Sequence, residues 1–136
     1  MARSMAELLR SPYFVVSLEE GRDLVRVVRT PEPFPSVEVV TSAWLDVIGA
    51  LDRAGRLGRC LLTDLRPGPG RNDPAFEAAV RAIVVDLHRG FRKNAVLVRL
   101  PAAILQIRRH AREDGIERLV TDDEEAALAY LLAPGT

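Results

Sequence analysis

The chain has 136 residues, of which 48% are hydrophobic and 28% are charged. This length fits one folded domain, and the hydrophobic fraction is too high for a disordered chain. Nineteen Lys and Arg residues balance nineteen Asp and Glu residues, so no overall field draws the chain towards nucleic acid or a membrane surface. No stretch approaches the roughly 18 apolar residues of a membrane span, and the first residues lack the long apolar core of a secretory signal. These features predict a cytoplasmic protein.

The first predicted elements are a β-hairpin and a helix. The hairpin pairs Tyr13–Leu18 with Asp23–Arg29, because both stretches are rich in apolar β-formers and a glycine lies between them. Ser36 then offers an N-cap to a helix that runs to about Ala54, and Gly55 ends it. A strand at Arg59–Leu65, a helix from Pro74 that stops at Gly90 and a strand at Asn94–Leu100 are predicted next. A helix from Pro101 to Glu113 and a short strand at Arg118–Val120 follow. The last helix starts with a capping box at Thr121–Glu124 and runs through Leu132.

The predicted element order is ββαβαβαβα, which indicates an α/β fold. Short strand–helix–strand connections favour right-handed crossovers, so most of the sheet is expected to be parallel and the opening hairpin antiparallel. We assign residues 1–12 to an N-terminal extension, 13–132 to the domain and 133–136 to a tail. Tyr13–Leu18 as an exposed edge strand favours a homodimer.

Several single residues have a predicted place. Cys60 is the only cysteine and stands in an apolar run, so a buried, inert thiol is expected. Trp44 and Phe76 fall at core-facing helical positions. Phe34, between two prolines, is interpreted either as a cover over one end of the sheet or as an exposed contact.

Asp64 and Leu65 end a predicted strand ahead of a loop and a helix, and with the element order they resemble the SpoIIAA-like, or STAS, family. Residues 71–77 (RNDPAFE) and 106–114 (QIRRHARED) also resemble a group of uncharacterised bacterial SpoIIAA-like proteins, which are STAS and CRAL-TRIO-related domains. The resemblance implies a mixed sheet with helices mostly on one face, and a domain that binds other proteins.

Some STAS domains are switched by phosphorylation of a Ser or Thr at the start of the helix after that strand, and the resemblance places this position near Asp73. No Ser, Thr or Cys occurs from Leu65 to Val120, so the loop has no hydroxyl to phosphorylate. Asp73 is either a plain N-cap or a fixed carboxylate that imitates a phosphorylated side chain. The predicted interaction loop comprises Asp64, Arg66, Arg71, Asn72, Asp73 and Phe76.

Catalytic and metal-binding patterns are weak. His88 and His110 have no metal-binding neighbours at ligand spacing, and there is no G-x-S-x-G turn for a nucleophile. The loop 67–70 (PGPG) lacks the Lys-Ser/Thr of a P-loop, and its prolines remove amide donors. We expect no metal, no cofactor and no enzymatic activity. Asp64 is interpreted as an acceptor that stabilises a turn, and catalysis by Asp64 with an arginine is a third hypothesis.

Charge separates along the last third of the chain. No acidic residue occurs from 87 to 112, whereas seven occur from 113 to 125. Arg108, Arg109 and Arg112 share one side of a predicted helix. They either pair with the acidic stretch across the last two helices or form a basic patch for an acidic partner or an anionic ligand. Few aromatic residues are available to stack bases, so nucleic acid is not an expected partner.

The leading functional hypothesis is a non-enzymatic interaction or regulatory module that binds an unidentified protein. The alternative is a carrier or sensor of a small apolar or anionic ligand, which requires a substantial apolar cavity between helices and sheet.

Overall fold

The computed structural model describes residues 5–69, 74–99, 108–109, 112 and 114–134. The strands are β1 (Met5–Arg10), β2 (Phe14–Glu19), β3 (Leu24–Arg29), β4 (Cys60–Asp64), β5 (Lys93–Leu97) and β6 (Leu119–Thr121). The helices with defined bounds are α1 (Val37–Ala54), α2 (Pro74–His88) and α3 (Glu124–Leu132), and a 3-10 turn spans Glu20–Arg22.

The six strands form one mixed sheet in the order β1-β2-β3-β4-β5-β6. β1, β2 and β3 are antiparallel neighbours, whereas β3, β4, β5 and β6 run parallel. The carboxyl ends of the four parallel strands therefore meet at one end of the sheet, where Arg29 and Asp64 end β3 and β4.

Helices cover the two faces of the sheet unequally. Val25, Val27 and Leu61 belong to a core cluster with residues of α1 and α2. The intervening strand residues, among them Leu24 and Leu62, pack with Ala127 and Leu131 of α3. Because successive strand residues point to opposite faces, α1 and α2 lie on one face and α3 lies on the other.

The predicted fold class is confirmed, with one strand added to the predicted order. Residues 5–10 form β1 and pair with β2, so the sheet begins within the stretch that we assigned to an N-terminal extension. The stretch Tyr13–Leu18 is consequently an interior strand, and its predicted role as an exposed edge is wrong. Met5–Arg10 has no β-branched residue, and it is a strand because it pairs with β2 and because Leu8 and Leu9 pack against the core.

The other elements agree with the sequence to within a few residues. Ser36 Oγ accepts a hydrogen bond from the Val39 amide at 3.3 Å and caps α1, and Gly55 ends α1 at a positive φ of 92°. Asp123, and not Thr121, is the N-cap of α3, because its carboxylate accepts from two amides of the first turn. The predicted helix at Pro101–Glu113 and the cap at Asp73 fall largely outside the described residues, although Arg108, Arg109 and Arg112 have helical backbone.

Candidate functional site

Asp64 ends β4 and closes the turn that follows it. Its Oδ1 accepts from the Arg66 amide at 3.1 Å and from Arg66 Nε at 2.9 Å, and its Oδ2 accepts from Arg66 Nη2 at 2.8 Å. Burial alone raises the pKa of Asp64, but the hydrogen bonds from Arg66 and the charges of Arg66 and Arg26 outweigh burial and lower it. Both carboxylate oxygens are therefore engaged, as the interpretation of Asp64 as a turn-stabilising acceptor requires.

A chain of ion pairs extends from Asp64 across the face that carries α3. Arg66 Nη2 lies 2.9 Å from Glu124 Oε1 on α3, and Arg26 Nη1 lies 3.7 Å from Glu124 Oε2. Arg26 in turn lies 3.8 Å from Glu19, which also pairs with Arg22. The turn after β4 is thus tied to α3, β3 and β2 by alternating charges.

The next part of the loop lies close to the end of β3 at Gly68. A Cβ at this position would lie 2.5 Å from Cγ of Arg29, so only glycine fits. The Gly68 carbonyl accepts from Arg99 Nη2 at 3.2 Å, and the Leu65 amide donates to the Leu97 carbonyl at 2.9 Å. Backbone and side-chain contacts therefore hold the loop from two neighbouring strands.

Arg29 is a buried cation under this loop, with 5% of its surface exposed. Its guanidinium donates to the carbonyls of Tyr13, Thr30 and Glu32 at 2.7–3.0 Å, and its Cζ lies 4.0 Å from the centre of the Phe34 ring. Burial lowers the pKa of Arg29. Carbonyl oxygens and an aromatic face stabilise this charge.

Phe34 covers the end of the sheet, as one of its two interpretations predicted. It is buried, and its ring centre lies 5.0 Å from that of Tyr13 and 6.0 Å from that of Phe76. The interpretation of Phe34 as an exposed contact is wrong. Phe76 is half-buried and packs against the core.

The structure brings together part of the predicted interaction loop. Asp64 and Arg66 form the turn, and Phe76 lies in the first turn of α2, in contact with Phe34. Arg71, Asn72 and Asp73 lie outside the described residues. Pro67 and Pro69 are exposed on either side of the buried Gly68, so the loop presents two prolines outward.

The predicted basic patch is exposed to solvent. Arg108, Arg109 and Arg112 are exposed, and Arg108 Nη2 donates to the Val120 carbonyl at 3.5 Å. Among the described residues, no ion pair joins these three arginines to Asp114, Glu117 or Asp122–Glu125, and Glu113 lies outside the described residues. The pairing that we considered across the last two helices is therefore not seen among these residues.

A second polar cluster, which the sequence analysis missed, lies at the amino-terminal end of the parallel strands. His88 donates from Nδ1 to the Val84 carbonyl at 3.1 Å, and Asn94 Nδ2 donates to the His88 carbonyl at 3.1 Å. Arg118 pairs with Asp114. Burial, with the charges of Arg118 and Arg56, lowers the pKa of His88 to about 3. Arg56, the His88–Asn94 pair and the Asp114–Arg118 pair come from three separate parts of the chain, and no spacing rule connects them.

Surface clefts lined by described residues include the following two. One, of about 300 Å³, lies at the start of β5 between Phe91–Asn94, Ile116–Glu117 and Tyr130. The other, of about 490 Å³, is a shallow groove on the outer side of α1 between Val37 and Asp46. In the part of the chain with described helices, none is long and apolar enough to cross a bilayer.

The comparison with solved structures concerns the fold. An uncharacterized protein of the DUF3478 family with a SpoIIAA-like fold, from Shewanella loihica PV-4, matches the chain with a TM-score of 0.52, at 14% sequence identity and over 96% of each chain. No protein-family model matches the chain, and no curated protein matches it. The sheet topology and this structural match show that the chain has a SpoIIAA-like fold.

Proposed function

We propose that the chain is a non-enzymatic interaction module that binds a partner protein through the β4–α2 loop surface, which comprises residues 64–69 and Phe76. The observation that carries the proposal is the clamped loop with its two exposed prolines. In this loop Arg66 bonds to Asp64, the Gly68 carbonyl accepts from Arg99, and Gly68 packs closely against the Arg29 side chain. A loop that is ordered before binding loses little conformational entropy in a complex.

The chemistry of Asp64 supports binding over catalysis. A general base needs a free oxygen within reach of a substrate proton, and its pKa is most useful near neutral pH. Both oxygens of Asp64 accept hydrogen bonds from Arg66, and the pKa of Asp64 is lowered. Asp64 in this arrangement orients Arg66 and the loop.

The charge of this surface is fixed. No Ser, Thr or Cys lies between Leu65 and Val120, so phosphorylation of a hydroxyl in this loop cannot regulate binding. We therefore propose a constitutive interaction, in which the presence of the partner sets the extent of complex formation.

Site-specific photo-crosslinking in cells of the source organism tests the proposal. A photoreactive residue at Pro69 is expected to capture a partner protein, whereas one at Leu57 is not. Leu57 is 96% exposed, and it precedes β4 at the opposite end of the strand. The pair of positions therefore separates binding at the loop from general surface contact.

A glycine pair supplies the matched control. Gly68→Ala places a Cβ 2.5 Å from Arg29 Cγ and is expected to displace the loop and reduce capture at Pro69. Gly21→Ala adds the same methyl group where no atom lies within 4 Å, and capture is expected to be unchanged. Equal capture by both variants, or none at Pro69 in the parent chain, contradicts the proposal.

The carrier hypothesis requires an apolar cavity between the helices and the sheet, and the two clefts lie elsewhere. The groove on α1 and the cleft at the start of β5 both open on the surface. Between the helices and the sheet, Trp44 and Phe14 pack with ring centres 4.4 Å apart. The core is closely packed at this described contact, which supports the interaction module over a carrier that needs open space there.

A further inference from the structure

We propose that a second copy of this chain binds along β1, so that two sheets join edge to edge about a two-fold axis. β1 is the terminal strand of the sheet and pairs on one side with β2. With six residues it is longer than β6, the three-residue strand at the other edge. An edge strand of this kind offers backbone donors and acceptors to another strand.

A β-bulge gives the edge its charge pattern. Glu7 pairs with Ser17 and Arg10 pairs with Val15, with the register shift between Glu7 and Leu9. Residues three apart in a regular strand point to opposite faces, but the bulge places Glu7 and Arg10 on the same face. Their side chains meet there, with Arg10 Nη2 2.6 Å from Glu7 Oε1.

This pattern is complementary to itself. If two copies of β1 run antiparallel about an axis between Leu8 and Leu9, Glu7 of one copy faces Arg10 of the other, and the reverse pair forms symmetrically. Opposite charges directly across a strand pair are favourable, and like charges are unfavourable. The charge complementarity identifies the occupant of this edge as a second copy of the same chain.

An apolar stripe on α1 lies on the same flank. Val37, Thr41 and Leu45 follow each other at intervals of four residues and share one side of α1. α1 contacts β1 and β2, whereas α2 connects β4 to β5 and packs against α1. Of the two helices on this face, α1 is therefore the one nearer the β1 edge, and the stripe lines an open groove on it. Leu45 is 54% exposed, and a two-fold partner would cover it.

The bulge also limits the strength of the contact. A bulged edge strand pairs regularly over few residues, and natural proteins use such bulges to restrain edge association. We therefore expect a weak, reversible dimer, with a dissociation constant on the order of micromolar or above. This surface is separate from the β4–α2 loop surface, so it does not depend on the proposed function.

Sedimentation equilibrium of the full chain at rising concentration tests the proposal. The parent chain is expected to dimerise, and Glu7→Arg and Arg10→Glu are each expected to weaken the dimer by about tenfold or more, because like charges then face each other. Mixing the two variants is expected to restore association. Recovery on mixing requires a contact between copies, since neither variant regains its internal pair.

Two further substitutions test whether the interface includes the exposed side of α1. Leu45→Lys is expected to weaken the dimer, whereas Val85→Lys on α2 is expected to leave it unchanged, although both side chains are exposed. A monomer at every concentration, or a dimer that does not respond to Glu7→Arg and Arg10→Glu, overturns the proposal. A monomeric chain that captures a different protein through Leu45 also overturns it.

Discussion

The polar side chains at the two ends of the parallel strands differ in burial and in hydrogen bonding. At the carboxyl end, Asp64, Arg66 and Glu124 form a continuous set of ion pairs that is partly open to solvent. At the amino end, buried atoms lack hydrogen-bond partners among the described residues. They are Arg56 Nη2, His88 Nε2, Asn94 Oδ1 and Arg118 Nη1. A fifth such atom, Thr63 Oγ1, lies near the carboxyl end of β4.

This difference indicates that the carboxyl end is suited to contact with a partner, whereas the buried cluster at the amino end affects stability. Partly exposed ion pairs contribute little to the free energy of unfolding. The charged side chains at the carboxyl end can therefore exchange these internal contacts for contacts with a binding partner at little loss of stability. A buried polar atom without a partner costs about 1–3 kcal/mol, and a buried charge without its counterion costs more. We therefore expect substitution of the buried Asp114–Arg118 pair to change stability more than substitution of the partly exposed pairs of Asp64, Arg66 and Glu124.

The largest expected effect is at the buried ion pair of the amino end. Asp114→Ala leaves Arg118 charged, and the Arg118 side chain is fully buried. We expect the free energy of unfolding to fall by about 3–5 kcal/mol, measured by urea denaturation. Adding Arg118→Met is expected to recover part of the loss, and Glu117→Ala, at an exposed position, is the control. A loss below about 1 kcal/mol would show that the pair behaves like a surface pair.

His88 is expected to make the amino end sensitive to acid. Its pKa is about 3 in the folded chain and near 6.5 when unfolded, so between these values the unfolded chain binds a proton that the folded chain does not. The free energy of unfolding therefore falls as the pH is lowered, by about 1.4 kcal/mol per pH unit from this group.

Urea denaturation from pH 6.5 to 5 measures this effect. The parent chain is expected to lose about 2 kcal/mol more than His88→Gln over this range, because glutamine does not titrate. If the free energy of unfolding depends equally on pH in the parent chain and in His88→Gln, His88 is not the cause of the acid sensitivity.

The smallest expected effect is at the carboxyl end. Glu124→Gln removes the partner of Arg66 and Arg26, but the side chains of Arg66 and Glu124 are 31% and 40% exposed. The expected loss in the free energy of unfolding is below about 1 kcal/mol and shrinks at high salt. A loss as large as that of Asp114→Ala would end the distinction between the two ends.

The sequence predicted the elements whose pattern is local. Ser36 and Gly55 bound α1 as expected, since a cap depends on neighbouring amides. β1 was missed because Met5–Arg10 lacks β-branched residues, and its pairing with β2 and the packing of Leu8 and Leu9 make it a strand. Of the candidate site, Asp64 and Arg66 were found because the turn they form is local. Arg29 and Glu124, which complete the surroundings of that turn, come from distant parts of the chain.

The sequence by itself determined an α/β domain, the order of the described elements from β2 onwards, a buried Cys60 and a β4–α2 loop without a hydroxyl. Periodicity, caps and composition act over a few residues, so they can be read along the chain. Tertiary structure decided which strand forms the edge, which arginines are buried and which polar atoms lack partners. Those properties depend on contacts between residues far apart in sequence, such as Gly68 with Arg29, and on the water that packing excludes.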